Sequence, residues 1–182
     1  MEVEPALGTL KNSGAEAVIM VGTYNPLAKF IKLGEDNNFT PYFHTVSFIG
    51  SGAFAESIKK QDVSRRIYDK IIVTQVVPSP ASDEFEIVGQ HRNAYARHFP
   101  DDEPNYVSLE GHVNAKVLVE ALKRVGPDLT RSKLMNTLES MKNEDFGLGK
   151  ELSYGPYDHS GLTGIYYSRL DTERGKFEVF KP

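Results

Sequence analysis

Cysteine is absent from the 182 residues, which excludes a disulfide framework and thiolate chemistry and leaves the redox compartment open. No apolar run approaches the ~20 residues of a membrane span. The opening Met1-Glu2-Val3-Glu4 is acidic where a secretory signal is basic, so no signal peptide is expected in this chain. Excess positive charge is missing too. Lys and Arg number 21 against 25 Asp and Glu, a net charge of −4, which argues against a nucleic-acid partner or an anionic membrane surface. Gly50-Ser51-Gly52 lacks the Lys-Ser/Thr of a P-loop and the flanking glycines of a nucleophile elbow. His44, His91, His98, His112 and His159 form no H-E-x-x-H and no Cys/His pattern, so neither a metal nor a cofactor is expected. His91 and His98, seven apart, read as helix packing. Asp158-His159-Ser160 has all three triad residue types, but consecutive residues cannot stack into a relay. No catalytic residue is expected, and the chain is not read as an enzyme.

What is present begins with Ala17–Val21, an unbroken apolar run between Ser13-Gly14 and Gly22. Its length and β-branched content suit a strand covered on both faces, with Ile19 in the core. Thr23, Tyr24, Asn25 and Pro26 follow, and then Leu27, Phe30, Ile31 and Gly34 at helical spacing. Asn25 is a good N-cap and Pro26 a good first helical residue, because its missing N–H would have no partner there. In open α/β sheets ligands sit at the carboxyl ends of such strands, which is where Thr23, Tyr24 and Asn25 stand.

The pattern repeats. Tyr42–Phe48 reads as a strand, Gly50-Ser51-Gly52 as a turn and Ala53–Lys59 as a helix; Ser47, Phe48 and Ser51 occupy the equivalent strand end. Ile71–Val77 reads as a third strand, stopped by Pro78-Ser79-Pro80. Alternating strands and helices predict an α/β fold with a parallel βαβ sheet. Beyond Pro80 come three helical patterns with no strand among them: Glu84–Phe99, Tyr106–Val125 and a helix capped by Thr130 that buries Leu134, Leu138 and Met141. The end returns to β, at Leu152–Tyr154 and then as a hairpin of Ile165–Leu170 and Phe177–Phe180 turning at Arg174-Gly175.

Segments 14–39, 45–54, 71–80, 105–131 and 152–170 together, in that order, resemble the C-terminal half of type I periplasmic substrate-binding proteins of the leucine/isoleucine/valine-binding class. The resemblance implies a partial second lobe over residues 1–77, a crossover at 78–83, first-lobe helices over 84–145, and a return to the second lobe over 146–182. It also implies a solute-binding receptor of an ABC importer, which takes up an amino acid or a similar small carboxylate by lobe closure, without chemistry. Its partners would be that small molecule and an ABC permease, and its location periplasmic or extracellular. The implied ligand contacts are Thr23, Tyr24, Asn25, Ser47, Phe48 and Ser51. A tyrosine offers a flat apolar face and a hydroxyl, and helix N-terminal N–H groups suit a carboxylate. Leucine-binding relatives pair the ligand's ammonium with an acidic side chain near here. No Asp or Glu occurs between Thr40 and Ala55, so an aromatic or aliphatic acid rivals an α-amino acid. A ligand-sensing module of a signalling protein and an interaction fragment without its own ligand are the alternatives. Because the family's first-lobe sheet is not encoded here, the stripe Tyr106, Leu109, Val113, Val117 and Leu122 lacks its usual cover, and a homodimer through residues 84–141 is expected.

Overall fold

The computed structural model describes residues 3–180; Met1, Glu2, Lys181 and Pro182, on which the acidic start and the extreme C-terminus partly fall, lie outside the described residues. The elements in chain order are α1 (Glu4–Asn12), β1 (Ala17–Ile19), α2 (Tyr24–Asp36), β2 (Tyr42–Val46), α3 (Ser51–Lys60), β3 (Ile71–Gln75), α4 (Glu86–His98), α5 (Tyr106–Val125), α6 (Arg131–Ser140), β4 (Glu144–Asp145), β5 (Glu151–Leu152), β6 (Tyr166–Leu170) and β7 (Phe177–Phe180). They fall into two compact units: residues 1–75 with 166–182, and residues 76–165.

The first unit is a five-stranded sheet in the order β1-β2-β3-β6-β7. β1, β2 and β3 run parallel, as the alternating pattern requires, while β6 joins β3 antiparallel and forms a hairpin with β7. Gly175 closes that hairpin at φ 63°, a conformation glycine takes without steric cost. Leu7, Phe30, Ile31, Phe54 and Ile58 from the helices pack with Val18, Phe43, Ile71, Val73, Leu170 and Phe177 from the strands in one core. α1, α2 and α3 therefore cover the same sheet face. Gly34 allows α2 to end tightly: its carbonyl accepts the Phe39 N–H at 2.8 Å, and a Cβ there would lie 2.8 Å from the Phe39 carbonyl oxygen. The core also holds a polar trio. Gln75 Nε2 donates to Ser51 Oγ at 2.9 Å and Ser168 Oγ at 3.0 Å, and Ser168 Oγ donates to the Val73 carbonyl at 2.9 Å.

β1 corrects one expectation. It is an edge strand with only Val18 buried; Ile19 is 79% exposed. Strand register puts Ile19 on the side opposite Val18, with His44 beside it. The cap of α2 differs as well. Thr23, not Asn25, holds the N-cap position and makes no side-chain cap bond, because Pro26 lies one turn in and the Asn25 side chain is engaged elsewhere.

The second unit gathers α4, α5, α6 and a two-stranded β4-β5 sheet around Val77, Ile87, Leu109, Val113, Val117, Met141, Leu148 and Leu152. α5 starts in a capping box in which the Asn105 side chain and Ser108 each accept the other's backbone N–H, and it stops at Gly126. Thr130 caps α6 by accepting the Lys133 N–H at 3.2 Å. Two expectations fail here. Residues 146–165 do not return to the first unit: Leu148 and Leu152 are buried in the second core, with Tyr154 and Leu162 packed on it. The same residues help to bury Tyr106, Leu109, Val113 and Val117, which are 8% exposed or less. Four of the five stripe residues are thus covered within the chain, while Leu122 is half-buried, so those four do not call for a second copy.

Candidate functional site

Two helix N-termini stand side by side at the carboxyl ends of adjacent parallel strands. β1 leads through Gly22 to the α2 start at Tyr24, and β2 leads through the 3₁₀ turn Ser47–Ile49 to the α3 start at Ser51. Gly50 makes that second turn possible, at φ 71° and ψ 84°. A bond between helices fixes the pair: Ser57 Oγ of α3 donates to Asn25 Oδ1 at 2.8 Å. Backbone N–H groups in a first helical turn have no partner within the helix, and their partial positive charge suits an anion.

Five of the six expected contacts lie at this rim. Thr23 and Asn25 are exposed, Tyr24 is 39% and Phe48 60% exposed, and Ser47 is half-buried. Asn25 serves as the strut to Ser57 rather than as a helix cap. Ser51 is corrected: it is 2% exposed and its hydroxyl is taken by Gln75 in the core. It contributes the start of α3, not a side chain at the surface. What sequence reasoning missed was the Asn25–Ser57 strut, since nothing in spacing alone pairs residues 32 apart.

The remaining candidates sort plainly. Asp158 is a turn residue. Its carboxylate accepts the Ser160 N–H at 3.0 Å, and that bond holds its pKa below the usual carboxylate range. His159 approaches Glu139 at 3.6 Å instead. Among the described residues no three His, Cys, Asp or Glu side chains gather as a metal shell. In the second unit, Val117, Leu118, Met135, Leu138 and Tyr154 line an apolar cavity of about 370 Å³. A second cleft lies between α4 and α5, where His91, Tyr95, His98 and His112 meet.

No curated protein matches the chain. Solved structures do. A possible leucine/isoleucine/valine-binding protein from Rhodopirellula baltica SH 1 is 32% identical, with a TM-score of 0.87 over 99% of this chain and 47% of that one. A fatty acid ABC transporter substrate-binding protein from Thermomonospora curvata has a TM-score of 0.81 at 17% identity, over 99% and 46% of the two chains. A branched chain amino acid ABC transporter from Thermus thermophilus with bound valine has a TM-score of 0.73 at 13% identity, over 99% and 48%. These last two share the fold. The chain thus spans about half the length of the structures it matches. A family model described as periplasmic binding protein matches residues 1–176, and the chain belongs to the periplasmic binding protein family.

Proposed function

We propose that this chain is part of a solute-binding receptor of an ABC importer, acting outside the cytoplasmic membrane on a small ligand that carries a carboxylate. The observation that supports this most is the pair of helix N-termini at Tyr24 and Ser51, with Tyr24 and Phe48 exposed beside them. Their N–H groups take the carboxylate, and the two rings take an apolar body. No acidic residue stands between Thr40 and Ala55 to hold an ammonium, so the carboxylate is the end of the ligand that this rim reads. The relatives with bound valine and with fatty acid as substrate fit that common denominator. Thr23, Asn25 and Ser47 complete the rim, and an ABC permease is the partner. Among the described residues no helix is long and apolar enough to cross a membrane.

The test is a thermal-shift screen of the chain against valine, leucine, octanoate and benzoate. At ~100 times Kd a ligand stabilises by about 2.7 kcal/mol. Tyr24→Ala should abolish the shift and leave the apo melting temperature unchanged. A panel without any shift would instead favour a fragment that binds no solute on its own.

A further inference from the structure

His91 is 3% exposed, on the buried side of α4, and neither of its ring nitrogens has a hydrogen-bond partner. Facing it from α5 is His112, half-buried, whose Nε2 is also without a partner. A buried polar atom left unpaired costs free energy, and here three such nitrogens lie together. Both side chains line a cleft of about 370 Å³ that Tyr95, His98 and Ser108 also line. Three other polar groups nearby are engaged: Tyr95 donates its hydroxyl to Asp102 at 2.8 Å, Ser108 Oγ donates to the Asn105 carbonyl at 2.9 Å, and Lys116 donates to Gln90.

We propose that this cleft binds a borderline divalent transition-metal ion, Zn²⁺, Ni²⁺ or Cu²⁺, through one ring nitrogen each of His91 and His112. Imidazole suits these ions, and hard Ca²⁺ and Mg²⁺ prefer oxygen. The separation fits. With metal–nitrogen bonds of about 2.0–2.1 Å, two imidazoles on one tetrahedral ion have ring centres about 5.2 Å apart. The centres of His91 and His112 are 5.4 Å apart, with the rings tilted by 53°. Burial, helped by the mutual approach of the two rings for His91 and by Lys116 for His112, pushes both below the ordinary histidine pKa. Both are therefore neutral at pH 7, the form that donates a lone pair. Two protein ligands leave the remaining positions to water, so the site is a modest binder rather than a structural cage.

Calorimetric titration of the chelator-treated chain with ZnCl₂ and NiCl₂ tests this. One ion should bind per chain, CaCl₂ and MgCl₂ should give no heat, and His112→Gln should weaken binding at least about tenfold. His159→Gln, in another part of the unit, should bind as the parent does. Equal binding by His112→Gln, or no binding by the parent, overturns the proposal. Cu²⁺ electron paramagnetic resonance of the unmodified chain reads the site without any substitution. Coupling to two imidazole nitrogens supports it, and coupling to one or none overturns it.

Discussion

On one face of the five-stranded sheet Phe43, Ile71 and Val73 are fully sealed beneath helices, while on the other Ile19, Tyr42 and Val46 are 79%, 53% and 38% exposed. Both faces belong to the same strands, and neighbouring residues differ only in which way the pleat turns them. Side-chain chemistry therefore does not decide burial here. Cover does: α1, α2 and α3 share one core with the closed face, and none of the three belongs to a core on the side of Ile19. The difference teaches that an apolar strand states what its faces tolerate, and that only the partner elements state what they receive.

The comparison can be broken by substitution. Phe43→Ala on the closed face should cost about 3–5 kcal/mol in urea unfolding, because a phenyl with no exposed surface leaves a cavity; a loss below ~1 kcal/mol would mean that this face is loosely packed. Ser168→Ala comes next, at about 1–3 kcal/mol, since it strips Gln75 Nε2 of one of two acceptors in a dry core. On the open face Ile19→Ala should stay within ~0.5 kcal/mol. A loss of 2 kcal/mol or more would show that the face is covered in solution, and a doubled mass by light scattering would identify a second copy as the cover.

The smallest effect is one of pH. His44 lies on the open face, half-buried, and burial pushes its pKa below the ordinary value of 6.5. The folded chain then holds this proton more weakly than the unfolded chain. Its neutral form favours the fold above that value, and the contribution is lost as pH falls through it. The drop in melting temperature between about pH 7.5 and about pH 5.5 should be smaller in His44→Gln than in the parent. An equal drop would assign the pH dependence to other groups.

Much of this was legible in the residues. β3, α5 and the α6 cap follow from an apolar run, a sustained stripe ended by glycine, and a threonine three residues before Lys133. The positions of Thr23, Tyr24, Asn25, Ser47 and Phe48 beyond the ends of β1 and β2 followed from the run-and-turn pattern. The misreadings share one cause, which is that pairing at long range leaves no local trace. Ser51 looked like a loop residue because Gln75, whose amide takes its hydroxyl in the core, is 24 positions away, and Ser168, the second acceptor of that amide, lies 93 beyond Gln75. His91 was read with His98 on its own helix, whereas its ring meets Tyr95 on that helix and His112 on the next one, each at 5.4 Å. Residues 146–165 looked like the first unit's because they contain β residues, yet their leucines complete the second core.

Gln75 and Tyr166 are paired neighbours in the sheet, and the whole second unit, residues 76–165, is inserted between them. For a chain emerging from the ribosome this sets an order of events. At 5–20 residues per second, roughly 5–20 s pass between synthesis of β3 and of β6, and through that interval β3 is an open edge. Closing a loop of this length costs about 4 kcal/mol if the loop is loose. A second unit that has already collapsed on its own core brings its two ends together beforehand and lowers that cost. The Gln75–Tyr166 pairing is thus costly across a loose insert and cheaper across a folded one.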